Sequence, residues 1–236
     1  MQRKREIRNY WDGFIRENKT SKKMISQKVS DIIVNNAILM FKRNVLDGLD
    51  GKQSILEIGC GSGAFTDHIV KQKNVGRLVC TDLSKEGVKL CKKKGFRAMV
   101  ADAERLPFKD NSFDIVCGFE FLHHLNNPQK AIKEACRVAR RVVYFNEPNS
   151  WNPVRRVMEK VYYPRAAHET SYSVLQFRKW FAREKFTLKL IPYNFLMPYF
   201  SNNALVRTNI FMDSILNALP TKYFGASIAV IAKSKN

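Results

Sequence analysis

Short apolar runs of strand length alternate with segments of helical spacing through the middle of the chain. The apolar runs occupy residues 53–59, 76–84, 96–102, 113–119 and 141–149. Between them, apolar residues recur at the spacing of a helix face in residues 64–72, 84–95 and 127–139. Strand, helix, strand at this spacing predicts βαβ units, and therefore a parallel sheet with helices on both faces.

The C-terminal part of the chain extends this pattern. A helix is predicted for residues 173–185, a strand for 186–195 and a last strand for 226–234. Together with the five runs above, these segments predict a Rossmann-like, doubly wound α/β fold whose sheet is mostly parallel and has about seven strands.

The remaining segments suggest how the chain is divided. Residues 1–50 are predicted to be an N-terminal helical extension, with one helix in 30–49, and residues 51–236 the main domain. Two irregular, aromatic stretches, 151–172 and 196–222, are candidate insertions that form a small cap over a substrate. The alternative is that both are ordinary connections.

Composition narrows the class of protein. The chain has 236 residues, 45% of them hydrophobic, which suffices for a buried core in one large domain. No apolar run reaches the roughly 18 residues that cross a bilayer, and no secretory signal is visible at the charged N-terminus. The five cysteines form no CxxC pair. We therefore expect reduced thiols, no metal centre and a cytoplasmic location.

The chain carries a formal net charge of +20. Such a charge is typical of proteins that bind an anionic partner, of which three kinds are considered: nucleic acid, an acidic substrate, or an anionic membrane surface contacted at its periphery. The basic residues are spread, however, with short clusters at 2–5 and 89–95. A lysine-rich solvated surface is the alternative, and nucleic acid is the less favoured partner because no RNA-binding module is recognisable.

Three glycines follow the first predicted strand, in the segment EIGCGSG at residues 57–63. Glycine tolerates positive φ and lets a ligand approach the backbone, and the free N–H groups of a helix N-terminus come next. The segment does not fit the dinucleotide pattern GxGxxG, because Ala64 or Phe65 stands where the third glycine belongs. A tight turn that binds nothing is the alternative.

Acidic residues end the next two predicted strands. Asp82 lies about 20 residues beyond the glycine segment, where a carboxylate can accept hydrogen bonds from both hydroxyls of a ribose. Asp102 ends the third strand, where it can meet the exocyclic amine of a purine. Asp82 could equally belong to a helix N-terminus, and Asp102 to an Asx turn.

Three segments in this order, LEIGCGSG, TDLS and ADAERLPFKDNSFDIVCGFEFLHHL, resemble the class I S-adenosylmethionine-dependent methyltransferases. The branch they resemble includes methyltransferases of ubiquinone and menaquinone biosynthesis. The resemblance covers residues 52–150 and implies S-adenosyl-L-methionine as cofactor, with S-adenosyl-L-homocysteine as its product. Two departures are the missing proline-glycine-glycine turn before the fifth strand and the missing glycine-phenylalanine before the sixth. We therefore expect a shorter or differently shaped connection into the fifth strand.

The resemblance also implies roles for residues at the ends of the strands. The residues implied to bind the cofactor are Glu57, Gly59, Gly61 and Gly63 at the methionine part, Asp82 and Leu83 at the ribose and adenine, Asp102 and Ala103 at the adenine, and Phe119 and Glu120 beside the methionine part and the transferable methyl group.

Three side chains are candidates for a general base, which is needed only if the acceptor must lose a proton: His123, His124 and Glu147. Each has a structural alternative, packing at a helix start for the histidines and anchoring of a loop for Glu147. The aromatic C-terminal sequence favours a small-molecule or amphipathic, lipid-like acceptor. A methyltransferase acting on RNA or protein, and a relative that binds the cofactor without catalysis, are the alternatives. Nothing in the sequence indicates the acceptor atom or the oligomeric state.

Overall fold

The computed structural model describes residues 2–17, 27–161, 170–194 and 224–235. Its strands are β1 (Gln53–Ile58), β2 (Val75–Asp82), β3 (Ala98–Val100), β4 (Phe113–Phe119), β5 (Ala139–Pro148), β6 (Phe186–Tyr193) and β7 (Ser227–Ser234). Its α-helices are α1 (Gln2–Arg16), α2 (Gln27–Phe41), α3 (Thr66–Ile69), α4 (Lys85–Lys93), α5 (Pro128–Val138), α6 (Pro153–Val161) and α7 (Val174–Phe181). A π-helical turn at Lys42–Leu46 and a 3-10 turn at Leu122–His124 complete the described elements.

The described strands form one seven-stranded sheet in the order β3-β2-β1-β4-β5-β7-β6. Neighbouring strands from β3 to β5 are parallel, whereas β7 runs antiparallel to both β5 and β6. This confirms the prediction of a Rossmann-like, mostly parallel α/β fold. The chain winds outward from β1 to β3 and then returns to β4 on the other side of β1. The crevice between the ends of β1 and β4 is therefore the topological switch point, where ligands bind in such sheets.

Short-range signals set the ends of the helices around the sheet. Ser84 caps α4 and Asn127 caps α5, each by accepting a hydrogen bond from a backbone N–H in the first turn. Gly95, at a φ of 85°, follows α4 in the left-handed conformation that ends a helix. Helix α5 ends at Val138 and β5 begins at Ala139 with no loop between them. The missing proline-glycine-glycine turn thus corresponds to a shorter connection, as expected.

Hydrophobic side chains pack on both faces of the sheet. On one face, α2 and the π-helical turn pack Phe41 and Leu46 against strand residues such as Tyr144. On the other face, α5 and α7 pack residues such as Ile132 and Phe177 against the sheet. Because the central strands are buried on both faces, they read in the sequence as continuous apolar runs.

The N-terminal extension contains two described helices, of which the sequence predicted only α2. Helix α6 occupies part of the predicted insertion 151–172. Residues 162–169 and the whole insertion 196–222 lie outside the described residues. The division of the chain into an extension, a main domain and cap insertions stays a prediction. Among the helices that the structure describes, none has both the length and the apolar content to cross a bilayer.

Candidate functional site

The glycine segment forms a tight loop at the carboxyl end of β1. Gly59, Gly61 and Gly63 have φ values of 73°, 50° and 83°, a region that L side chains rarely adopt. A Cβ on Gly59 would lie 2.6 Å from atoms of Phe121, so this position admits no side chain. A Cβ on Gly61 would meet nothing within 4 Å. The loop is therefore closed by Phe121 at Gly59, and it faces open space at Gly61, where a ligand can approach the backbone.

Asp82, the last residue of β2, ties this loop to the loop after its own strand. One carboxylate oxygen accepts the N–H of Gly61 at 2.8 Å, and the other accepts the N–H of Ser84 at 2.7 Å. Burial raises the pKa of Asp82, and the nearby carboxylate of Asp12 raises it further. A carboxylate has about four acceptor positions. The N–H groups of Gly61 and Ser84 and the backbone of Leu83 use three of these, so Asp82 keeps about one position for a ribose hydroxyl of the kind that the resemblance assigns to it. Leu83 beside it is half-buried.

Glu57 is a buried carboxylate in β1, just before the glycine loop. It accepts a hydrogen bond from the hydroxyl of Thr66 at 2.5 Å, which links the strand to α3. Burial raises the pKa of Glu57 to about 8, against the hydrogen bond from Thr66, and the charge of Asp82 adds to the rise. Glu57 therefore lies where the methionine end of the cofactor is expected, with a carboxyl group that a positive charge would ionise.

Asp102 follows β3 and is paired with a lysine from the N-terminal helix. Its Oδ1 accepts the N–H of Glu104 at 3.0 Å, and its Oδ2 lies 2.6 Å from Nζ of Lys4. The same Nζ lies 2.7 Å from Oε2 of Glu104. Burial opposes the charge of Lys4, but the hydrogen bonds from both carboxylates outweigh it, so its pKa lies above the usual value. Ala103 is half-buried between the two acids.

Glu120 is the first residue after β4 and has a positive φ of 52°. Such a φ is uncommon in a residue other than glycine and marks backbone strain. Its Oε1 accepts a hydrogen bond from Nδ2 of Asn146 at 2.7 Å, and Tyr193 donates its hydroxyl to Oδ1 of the same asparagine. Burial raises the pKa of Glu120 to about 8, and the charge of Glu147 adds to the rise. The strand end thus presents a second carboxyl group with a high pKa.

Phe119, also expected at the methionine part, has its ring in the core. The ring is buried and stacks on Phe65 with centroids 4.6 Å apart, and it also contacts Phe41 and Tyr144. The ring therefore stabilises the fold around β4. The part of Phe119 left for the cofactor expected there is its backbone.

Glu147 in β5 gathers four hydrogen bonds from the segment after β4. Oε1 accepts the N–H groups of Phe121 and Leu122 at 3.0 and 2.8 Å. Oε2 accepts the N–H of His123 at 3.3 Å and pairs with its Nδ1 at 2.7 Å. Burial raises the pKa of Glu147 to about 8, although the backbone hydrogen bonds oppose the rise. Glu147 thus anchors the loop, as its structural alternative had it, and also orients His123.

The pairing with Glu147 decides which nitrogen of His123 can act as a base. Burial lowers the pKa of His123 well below its usual value, and the charge of Arg155 lowers it further, so the ring is neutral. Above the pKa of Glu147 the carboxylate accepts all four hydrogen bonds. His123 then carries its proton on Nδ1, and Nε2 is left with a free lone pair.

His124 lies on the same turn but faces the N-terminal helix. Its ring centroid is 3.9 Å from that of His123 and 4.6 Å from that of Trp11. Asp12, the next residue of α1, accepts hydrogen bonds from the hydroxyl of Ser84 at 2.6 Å and from the N–H of Glu86 at 3.1 Å. Helix α1 therefore contacts the loops after three different strands.

The carboxyl edge of the sheet brings together the candidates from β1, β2, β3, β4 and β5. Sequence reasoning missed Lys4, Trp11 and Asp12 of α1, and the pair Asn146 and Tyr193 behind Glu120. A signal for α1 was present, since the apolar residues Ile7, Trp11, Phe14 and Ile15 have helical spacing. No short-range signal marks the Asn146–Tyr193 pair, because it joins two strands that lie far apart in sequence.

Known proteins share part of this sequence. Residues 56–145 match a family model described as a methyltransferase domain. A phthiotriol/phenolphthiotriol dimycocerosates methyltransferase of Mycobacterium tuberculosis is 37% identical over 101 residues, which cover 41% of this chain and 37% of that protein. A norajmaline N-methyltransferase of Rauvolfia serpentina is 32% identical over 137 residues, which cover 54% of this chain and 46% of that protein. The chain spans less than half the length of these curated relatives.

Solved structures share the fold over nearly the whole chain. A methyltransferase of Thermotoga maritima has a TM-score of 0.68 at 17% identity, covering 97% of this chain and 100% of that chain. A magnesium protoporphyrin IX methyltransferase of Synechocystis with bound S-adenosylhomocysteine has a TM-score of 0.66 at 16% identity, covering 97% and 98%. At such identities the likeness concerns the fold. Residues 56–145 are therefore similar to a methyltransferase domain, and the chain has the fold of the class I S-adenosylmethionine-dependent methyltransferases, as its motifs indicated.

Proposed function

We propose that this chain transfers a methyl group from S-adenosylmethionine to a small-molecule or lipid-like acceptor. The observation that carries the proposal is that two groups of residues lie at the same edge of the sheet. The glycine loop tied to Asp82 is suited to bind a cofactor, and the buried pair of Glu147 and His123 is suited to act as a base. The methyltransferase domain supports the reaction, and structural relatives with the cofactor or its product bound support the cofactor.

The residues at this edge fit S-adenosylmethionine. Gly61 faces open space, and Asp82 keeps an acceptor position for a ribose hydroxyl. Glu57 and Glu120 are carboxyl groups whose pKa values are raised to about 8. Both would be ionised by a nearby positive charge. S-adenosylmethionine, when bound, supplies that charge on its ammonium and sulfonium groups, and a methyl group already activated for displacement.

The chain itself then has three tasks. It must hold the acceptor in line with the methyl group, exclude water, and take a proton where the acceptor has one to lose. His123 is buried, and its Nδ1 is held by Glu147. We assign His123 as the base through Nε2, Glu147 as the residue that positions it, and His124 with Trp11 to the neighbouring wall.

An apolar or amphipathic acceptor is supported by two observations. The relatives named above act, by their names, on phthiotriol and phenolphthiotriol dimycocerosates and on norajmaline. In this chain, the wall beside His124 is aromatic, with the rings of Trp11, Tyr10 and Phe14 in contact with one another. Aromatic walls with a few polar groups are typical of sites for small apolar ligands.

Calorimetric titration with S-adenosylhomocysteine tests the cofactor site. Asp82→Asn removes the charge from the carboxylate that holds the loop and would bind the ribose. It should cost about 1.5–3 kcal/mol, or roughly ten- to hundredfold in Kd. Asp110→Asn is the matched control, because Asp110 is an exposed partner of Arg137. Equal affinities of both variants and the parent would contradict the assignment, and no binding by the parent would contradict the proposed cofactor.

Turnover tests the acceptor class. The protein is incubated with cofactor carrying a radioactive methyl group and with separate panels of long-chain phenols and polyols, small amines, transfer RNA and protein. Label that enters the organic phase with the first two panels supports the proposal. Label in RNA or protein alone favours the alternative acceptor, and cofactor binding without transfer to any panel favours a non-catalytic relative.

A second proposal concerns the surface on which an amphipathic acceptor would be met. The exposed residues of α4 are basic, namely Lys85, Lys89, Lys92 and Lys93. Beside them, Val100 of the edge strand β3 is an exposed apolar residue. Basic and apolar side chains on one surface suit an anionic membrane, to which each lysine near the surface contributes about 1 kcal/mol.

Liposome co-sedimentation tests this contact. Lys89→Glu with Lys93→Glu should reduce binding to vesicles of phosphatidylcholine and phosphatidylglycerol by about tenfold or more. The control is Lys130→Glu with Lys133→Glu, which makes the same charge change at exposed positions of α5. Equal binding by the two variants, or no binding by the parent at low salt, would rule the surface out.

A further inference from the structure

Helix α1 lies across the candidate cofactor site. Lys4 pairs with Asp102 and Glu104 after β3, and Asp12 receives hydrogen bonds from the loop after β2. Trp11 contacts His124 after β4. All three loops stand at the carboxyl edge where the cofactor is expected. The helix therefore spans the opening through which a cofactor would enter.

The contacts of α1 are those of a segment that can detach. None of its residues is buried. Lys4 and Asp102 remain about one-third exposed, and Arg16 is still more exposed where it pairs with Glu86. Partly exposed ion pairs contribute little individually, and segments with few buried apolar contacts open at low free-energy cost.

The receptor for Lys4 is fixed independently of the helix. Asp102 Oδ1 accepts the N–H of Glu104, and Glu104 Oε1 accepts the N–H of Asn127 at 3.2 Å. Each carboxylate is thus oriented by a backbone N–H that does not belong to α1, from the same loop for Asp102 and from the start of α5 for Glu104. Asp102 is also the residue assigned to the adenine amine, so the lysine and the adenine would share one carboxylate.

We propose that α1 is a lid over the cofactor site, with Lys4 as the latch that holds it to Asp102 and Glu104, and Trp11 as the wall it places beside His124. This inference rests on the proposed cofactor. When α1 closes, Lys4 reaches the carboxylates assigned to the adenine, and Trp11 reaches His124 in the proposed acceptor site. Lys4 is a positioning residue here, since it acts through the carboxylates and the helix.

Stopped-flow tryptophan fluorescence with S-adenosylhomocysteine tests the lid. The parent should give a signal on binding that Trp11→Phe abolishes. Lys4→Met should accelerate both association and dissociation, with dissociation faster by about three- to tenfold, the range expected for partly exposed ion pairs. Arg5→Met is the matched control, because Arg5 is an exposed cation on the same turn.

The outcomes separate the lid from the cofactor site itself. Faster exchange in Lys4→Met, with Arg5→Met like the parent, supports the latch. An unchanged dissociation rate overturns it. A slower dissociation with tighter binding also overturns it, because Lys4 would then be a competitor of the adenine. If calorimetry detects no binding by the parent, the proposed cofactor fails first, and the lid falls with it.

Discussion

The substitution Glu147→Gln tests whether Glu147 sets the protonation of the His123 ring in addition to stabilising the fold. Each oxygen of Glu147 accepts two hydrogen bonds, from Phe121 and Leu122 at Oε1 and from two nitrogens of His123 at Oε2. Glutamine has one oxygen and one amide nitrogen, so it can satisfy only one of these pairs as an acceptor. The orientation of the glutamine amide follows from the free-energy cost of the hydrogen bonds lost in each of its two placements.

Placing the amide nitrogen at the Oε1 position would leave two buried backbone N–H groups without an acceptor, at about 1–3 kcal/mol each. Placing it at Oε2 leaves only the N–H of His123, whose hydrogen bond is already long at 3.3 Å. The amide then donates to Nδ1, and the imidazole moves its proton to Nε2. We therefore expect a loss of about 1–3 kcal/mol in the free energy of unfolding and a His123 that cannot act as a base.

Three measurements check this reasoning at pH 9, where Glu147 of the parent is ionised because its pKa is about 8. Urea unfolding gives the stability, nitrogen NMR of the imidazole gives the tautomer, and transfer to a protic acceptor gives the rate. S-adenosylhomocysteine binding should change little, since Glu147 is not assigned to the cofactor. A variant that keeps its proton on Nδ1 and the parent's rate would refute the argument.

Two further predictions concern the candidate cofactor site. Gly59→Ala should lose about 2–4 kcal/mol of stability, because the new Cβ would lie 2.6 Å from Phe121. Gly61→Ala should lose only about 1 kcal/mol of stability, because of its positive φ, yet bind S-adenosylhomocysteine more than tenfold more weakly, because its methyl group fills the open space. Urea unfolding and calorimetry of both variants test this. Equal binding by Gly61→Ala and the parent would contradict it. The raised pKa values of Glu57 and Glu120, both about 8, make the ligand-free protein bind protons that the unfolded chain releases near pH 4.5. The free energy of unfolding should thus fall from about pH 5 to 8. Over the same range, the affinity for S-adenosylmethionine should rise relative to that for S-adenosylhomocysteine, because the sulfonium charge lowers both pKa values. Thermal melts and titrations at several pH values test this, and no change with pH would contradict it.

The backbone of the cofactor half could be predicted from the sequence because its signals are local. The runs at 53–59 and 113–119 are mostly apolar, as is typical of strands buried on both faces. Ser84 and Asn127 cap their helices through neighbours in the chain. The positions of Asp82 and Asp102 at strand ends then follow from strand length. Their surroundings do not, since Asp12 and Lys4 approach from a helix about 70 to 100 residues away.

The acceptor half was less predictable for the same reason. Glu147 was identified as a polar residue at a strand end, but its role depends on the backbone N–H groups that converge on it from after β4. Glu120 gave no sign of its positive φ, because acidic residues are common after strands. Helix α1 has a readable apolar spacing, yet nothing in that spacing indicates which surface it covers.

Three glutamates at this edge of the sheet differ in their hydrogen-bond donors, although all three have pKa values raised to about 8. Glu147 accepts four hydrogen bonds, three of them from backbone N–H groups, so the fold itself holds its carboxyl group in place. Glu57 has the hydroxyl of Thr66 and the more distant thiol of Cys80 as donors. Glu120 has the amide of Asn146 as a donor, and the charge of Arg155 also lowers its pKa. Neutral donors of this kind do not balance a buried carboxylate, whereas a cation within a few ångströms would. Glu147 therefore belongs to the part of the fold that orients His123. The proposed cofactor would bring to Glu57 and Glu120 a positive charge that favours their ionised forms.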